Sequence, residues 1–138
     1  MIDLIEELVR FLSQDPLTVR DVIARIGAVI EDPGIPMPIR IEPNVPGVKS
    51  ARLARFPDSG LPYLLMLEPE GDARPSVASL TSILGDYDRV HTHRGMPREL
   101  IFSPKAIGNH WRVFVIAQPQ SGEDDAAVTG ISFRRDPQ

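Results

Sequence analysis

Apolar residues recur at helical spacing in three stretches of the chain. Between Ile2 and Leu12, the residues Ile2, Ile5, Val9 and Leu12 form one stripe, widened by Leu4 and Leu8. Asp3, Glu6, Glu7 and Arg10 lie outside it, and the acids near the start suit the helix dipole. Asp15-Pro16 ends this helix, because the residue before a proline avoids helical angles. Val19, Val22, Ile23 and Ile26 form the second stripe; Val77, Leu80 and Leu84 form the third. These two stretches match position for position: Thr18 with Ser76, Val22 with Leu80, Ile26 with Leu84, Gly27 with Gly85. Each opens on a hydroxyl that can accept from an orphan N–H of the first turn. Asp21 stands three residues after Thr18, so the earlier copy approximates a capping box, with Ser79 as the weaker equivalent in the later one. Leu17 and Val22 suit a hydrophobic staple, and Gly27 and Gly85 suit the residue that closes a helix.

Between and after these helices the period shortens to two. Ile39-Arg40-Ile41-Glu42 alternates as a short strand, and Val45-Pro46-Gly47 is a turn. Val48 to Phe56 is a second strand, followed by the turn Pro57-Asp58-Ser59-Gly60. Leu61 to Leu67 is almost wholly apolar, which predicts a central strand covered on both sides. Later come Glu99–Phe102, a turn from Pro104 to Asn109, and His110–Gln118, the segment richest in β-branched and aromatic residues. Gly122 to Asp125 reads as a hairpin loop, and Ala127 to Arg135 as a last strand with Thr129, Ile131 and Phe133 on one face and Arg134 outside. Ala28-Val29-Ile30 extends or leaves the second helix, and Glu31–Pro38 and Asp86–Arg98 read as loops. Consecutive strands joined by short turns pair antiparallel, and the helical stripes must cover a sheet face. The expected fold is α+β: an N-terminal capping helix (1–14) and two helix–loop–antiparallel β-strand units (17–74 and 75–138) in one helix-on-sheet domain.

Composition narrows the function classes. The 138 residues are 42% hydrophobic and 25% charged, ordinary for a globular protein, and 14 prolines with 10 glycines favour short strands. The net charge of −4 comes without a basic block, which argues against nucleic acid. The absence of cysteine excludes disulfides and thiolate chemistry. The acidic start Met1-Ile2-Asp3-Leu4 lacks the basic segment of a signal peptide, and no apolar run is long enough to span a bilayer. The expectation is a cytoplasmic chain with no membrane partner.

The capped helix ending in glycine (Ser76–Gly85, echoed at Thr18–Gly27), the loop after it and the aromatic-rich strands Trp111–Gln118 and Thr129–Arg135 resemble a known pattern. It is the repeat of the β-lactamase inhibitory protein superfamily, shared with the small BamE/SmpA-type envelope lipoproteins. The resemblance covers most of residues 17–135. It departs in lacking cysteines for the inhibitor's disulfides or for lipidation, a signal peptide, and a clear fourth strand in the first unit. It implies a protein-binding module whose sheet presents aromatic side chains to a partner, and it carries over no individual residue's role.

Candidate chemistry is sparse. His91 and His93 are spaced to ligate a metal from one strand face, with Asp86, Asp88 or His110 as a further ligand, but a polar loop accounts for them as well. No metal site is therefore assigned. Ser59 lacks the flanking glycines of a nucleophile elbow, and turn chemistry explains it. Glu68, Glu70 and Asp72 surround Pro69 and Gly71, as in a solvated turn. No phosphate loop or dinucleotide fingerprint appears, so no cofactor is expected and the balance leans away from an enzyme. Trp111, the only tryptophan, suits either the core or a binding anchor. Tyr87, Arg89, His91, His93, Arg94 and Trp111 make the candidate contact surface, being rich in the residue types that anchor interfaces. The leading expectation is a small inhibitor- or immunity-like interaction module whose partner is another protein or a second copy. The alternatives are a small-molecule-binding or catalytic domain rimmed by the 86–98 loop, and a self-associating subunit that uses the Ile2–Leu12 helix.

Overall fold

The two short helices begin at their hydroxyl residues. In the computed structural model, which describes residues 1–90, 99–103, 111–123 and 125–137, helix α1 spans Ile2–Leu12, α2 Val19–Ile26 and α3 Val77–Leu84. Thr18 Oγ1 accepts from Asp21 N–H at 3.1 Å, and the Asp21 carboxylate accepts from Thr18 N–H at 2.9 Å. Ser76 and Ser79 make the same reciprocal pair at 3.1 and 3.0 Å, so a serine completes the second capping box. Gly85, at φ +84°, takes a left-handed conformation that a side chain would strain.

Eight strands follow in chain order: β1 (Gly27–Glu31), β2 (Ile39–Pro43), β3 (Val48–Arg55), β4 (Pro62–Pro69), β5 (Tyr87–Val90), β6 (Glu99–Phe102), β7 (Trp111–Pro119) and β8 (Val128–Pro137). They form one sheet in the order β1-β2-β3-β4-β8-β7-β6-β5, with every neighbouring pair antiparallel. The chain runs through four strands by hairpin connections, crosses by way of α3 to the far edge, and returns strand by strand until β8 closes on β4. The start of α3 is tied to the start of β8 by Val77 N–H to the Ala126 carbonyl and Val128 N–H to the Pro75 carbonyl.

The fold is α+β, as expected, but the sheet dominates it. Two strands occupy segments expected to be loop or helix: β1 takes Ala28–Ile30 and Glu31, and β5 takes Tyr87–Val90 from the expected 86–98 loop. Both are edge strands. An edge strand is held by backbone pairing on one side and needs no apolar alternation, so the period-two signal is absent there. The chain thus places four strands after α2 and four after α3, where a fourth strand in the first unit was not expected.

The core lies on one side of the sheet. Ile39, Ile41, Ala51, Leu53, Leu65, Leu67, Ile131, Phe133, Val113, Val115, Leu100 and Phe102 point from six strands into one contiguous buried cluster. Ile5, Leu8, Leu12, Val22, Ile26, Val77 and Leu80 meet them from the three helices. The apolar stripe of α1 is therefore consumed within the molecule's own core, and α1 touches α3, β7 and β8. β4 is central, as expected, but only one of its faces is covered: Leu65 and Leu67 are buried while Leu64 and Met66 are half-buried.

Candidate functional site: the uncovered sheet face

Side chains alternate across a strand, so register fixes which residues share the face away from the helices. Ala54 stands opposite Leu64, Leu64 opposite Arg134, and Arg134 opposite Phe114. One row along, Arg52 stands opposite Met66, Met66 opposite Ser132, Ser132 opposite Ile116, and Ile116 opposite Ile101. These two rows cross the middle of the sheet. Apart from the exposed Arg52, all of these residues are half-buried, and no described helix lies over them.

The face has an apolar belt of Leu64, Met66, Phe114, Ile116 and Ile101, with Arg134 between Leu64 and Phe114 in one row and Arg52 at the end of the other. Arg134 lies over the Phe114 ring with its carbon 4.6 Å from the ring centroid, and it pairs with Asp136 at 3.2 Å. A cation over an aromatic face is attractive, and the stacking holds the Arg134 side chain flat on the belt. Toward one end the surface becomes polar. Ser50 donates to Glu68 at 3.0 Å, and Arg52, Glu68, Gln118, Thr129 and Ser132 line a hollow of about 250 Å³. Gly130 helps keep that hollow open: a Cβ there would stand 2.6 Å from Gln118 Oε1.

Of the expected contact residues, Tyr87, Arg89 and Trp111 fall among the described residues. Tyr87 lies on the helix side, its ring 5.3 Å edge-on from Phe102 and half-buried against the core. Arg89 is exposed on the same strand and, with Tyr87, Leu100, Pro119 and Glu123, borders a hollow of only about 10 Å³, room for a single water. His91, His93 and Arg94 lie outside the described residues, as does His110. Trp111 opens β7, away from the strand's middle, where the Tyr87 neighbourhood lies. Tyr87 pairs with Phe102 and Phe102 with Val115, four residues along β7 from Trp111, which is about 13 Å along the strand alone. The described members of that set therefore do not converge on one site.

Trp111 instead belongs to a buried clamp. Arg135, 1% exposed, points into the core from β8, two residues after Phe133. It donates from Nε to the Leu12 carbonyl at 2.7 Å, from one terminal nitrogen to the Pro62 carbonyl at 2.8 Å, and from the other to the Gln14 carbonyl at 3.3 Å. Its guanidinium carbon lies 4.1 Å from the Trp111 ring centroid, and Phe56 and Tyr63 extend the aromatic cluster. Burial pushes the Arg135 pKa down to about 10, partly opposed by the Asp15 carboxylate. The cation satisfies carbonyls at and just beyond the C-terminus of α1, where orphan acceptors and the helix dipole favour positive charge.

The other candidate chemistries resolve into local structure. Ser59 Oγ accepts from Leu61 N–H at 3.2 Å within its turn. Glu68 belongs to the uncovered face, while Glu70 and Asp72 are exposed around the short 3₁₀ turn Gly71–Ala73. Among the described residues no three His, Cys, Asp or Glu side chains gather, and no helix is long and apolar enough to cross a membrane.

Sequence reasoning missed the apolar belt, although its signal was present. Leu61–Leu67 and Trp111–Gln118 carry apolar residues at both parities of the strand. Three helices of 11, 8 and 8 residues cover one face of an eight-stranded sheet, which leaves the other parity on the outside. No family model, curated protein or solved structure matches the chain.

Proposed function

We propose that this chain is a small cytoplasmic protein-binding module, inhibitor- or immunity-like, that docks its partner on the uncovered sheet face. The observation that carries this reading is the composition of the belt. Met66, Phe114, Leu64 and Ile116 lie together at mid-sheet, with Arg134 and Ser132 between them, Arg52 beside Met66, and Glu68 and Gln118 at one end. Aromatic residues, methionine and arginine are the types enriched at the centres of protein interfaces, with a polar rim around them. A rigid antiparallel sheet holds these groups in place, so little ordering entropy is lost on docking. The resemblance to the β-lactamase inhibitory protein superfamily supports the same use, since it implies a sheet offered to a protein partner. The halves that begin at Thr18 and at Ser76, each a capped helix followed by four strands, are on this reading copies of one unit. Their junction, β4 against β8, lies at the centre of the docking face.

The test is capture of a partner from the native lysate by immobilised protein, compared across variants. Phe114→Asp and Met66→Asp place a charge in the belt and are expected to abolish capture. Glu6→Arg, on the outer side of α1, is expected to leave it intact. Capture that survives both belt variants would reject the sheet face as the contact.

A further inference from the structure

Two opposite charges on the uncovered face share one hollow without pairing. Arg52 stands opposite Met66, and Glu68 opposite Ser50. Arg52 and Glu68 are therefore diagonal neighbours on β3 and β4, with Cα atoms about 7–8 Å apart. Both line the hollow of about 250 Å³ at the polar end of the face, which has room for several waters. They are the charged residues of that lining; Arg40, Glu42 and Lys49 line a second hollow beyond Arg52. Arg52 is exposed and joins no ion pair among the described residues. Glu68 accepts from Ser50 through Oε1, while its Oε2 has no ion pair among the described residues. The rest of the wall is neutral and polar, built from Gln118, Thr129 and Ser132, with Met66 as the apolar neighbour. Gln118 lies over Gly130 in the space a side chain there would need, since a Cβ would stand 2.6 Å from its Oε1.

We infer that this hollow binds a small free amino acid as its zwitterion, with the carboxylate on Arg52 and the ammonium on Glu68. The two charges together select the ligand. A lone anion such as phosphate, drawn to Arg52, is repelled by Glu68; a metal ion or simple amine, drawn to Glu68, is repelled by Arg52. A molecule with an ammonium and a carboxylate on one carbon meets an opposite charge at each end and fills the gap between the two side chains. The Arg52 guanidinium can donate two parallel N–H bonds to the carboxylate. The ammonium has three donors, and Glu68 Oε2, the Gln118 side-chain carbonyl and the Ser132 hydroxyl are acceptors in the same lining. Met66, where the apolar belt borders the hollow, is left to meet the amino acid's own side chain. Such binding uses the polar end of the face and does not require a protein on the belt.

Heteronuclear NMR of the isotope-labelled full chain, titrated singly with glycine and the common L-amino acids to about 10 mM, tests the inference. The expected result is a saturable shift of the Glu68, Gln118, Gly130 and Ser132 amides with at least one of them. For an amino acid that binds, the amine lacking its carboxylate and the acid lacking its amine should each bind at least about tenfold more weakly. For glycine these are methylamine and acetate. Arg52→Gln and Glu68→Gln should each raise the dissociation constant at least about tenfold, with circular dichroism melts confirming that each variant is folded. Gly130→Ala, which displaces Gln118, should also weaken binding, and it keeps the test decisive should a charge variant fail to fold. Phe114→Asp, outside the hollow, should leave amino-acid binding unchanged, so the outcome is independent of partner capture. No saturable shift with any amino acid overturns the inference and would leave the two charges to side chains of a protein partner. An amine or acid that binds as well as the zwitterion, or binding indifferent to both charge variants, overturns it too.

Discussion

At the scale of single residues, Arg135 presents two opposed effects whose balance can be measured. Placing a guanidinium in the core is costly, which is why its pKa falls to about 10. Its donors satisfy the carbonyls of Leu12, Gln14 and Pro62, and its plane stacks on Trp111. Arg135→Leu removes the cost of the buried charge but strands the Leu12 and Pro62 carbonyls, each worth about 1–3 kcal/mol when left without a donor. The second effect should win. A net loss of about 2 kcal/mol is expected in urea unfolding, and Trp111 fluorescence supplies a direct readout of the clamp. Asp32 offers a test with a defined sign. Hydrogen bonding and charge from Arg55, together with the Gly34 N–H, hold its carboxyl below the ordinary value of 3.8. A group depressed in the folded state contributes stability that is present above its unfolded pKa and is lost as the pH falls through the folded one. Asp32→Asn should therefore flatten the acid limb of the stability profile below about pH 4 and should lower stability at pH 7, as read by denaturant titrations at each pH.

At the scale of elements, the helix caps determine where structure starts, and they were the most legible part of the sequence. Thr18→Ala and Ser76→Ala each delete one reciprocal cap, and each should cost about 1 kcal/mol in denaturant unfolding. Both helices could be placed because caps, apolar stripe and closing glycine are local signals that survive without tertiary information. The inner strands were legible from alternation in β2 and β8 and from unbroken apolar or aromatic-rich runs in β4 and β7. β1 and β5 were not. Gly27-Ala28-Val29-Ile30 has no alternation, and Tyr87-Asp88-Arg89-Val90 is mostly polar; what fixes each as a strand is backbone pairing with β2 or β6. Gly27 carries a trace of this pairing. A Cβ there would stand 1.8 Å from the Glu42 carbonyl oxygen on β2, so the close approach of the two strands requires glycine. Gly27→Ala should push β1 off β2 at a cost of about 1–3 kcal/mol and increase amide exchange in β1 and β2 while β7 and β8 stay protected. Arg135 could have been placed by the same alternation that put Ile131 and Phe133 inside. A charged residue at a core position reads as surface until its carbonyl partners on α1 and β4, far apart in sequence, are brought to it.

At the scale of the whole molecule, the sheet divides its two faces between stability and availability. Leu65 and Met66 are neighbours on β4 and point to opposite sides. Leu65, 1% exposed, sits among the core residues beneath the helices, whereas Met66 is half-buried in the apolar belt across from Ser132. Leu65→Ala removes packed volume from the core and should cost about 2–5 kcal/mol. Met66→Ser removes a side chain that already meets water and should cost under about 1 kcal/mol. The same contrast should hold one strand pair away, with Phe133→Ala costing about 3–5 kcal/mol and Phe114→Ser far less. Urea unfolding of the four variants, followed by Trp111 fluorescence and circular dichroism together, measures the contrast. An apolar patch whose side chains already meet water is open to being covered by something else, and on this molecule that patch lies on the central strands of the sheet. Should Met66→Ser and Phe114→Ser destabilise as much as their core-facing neighbours, the belt would be a second core that the fold itself requires, and the sheet would have no face to offer.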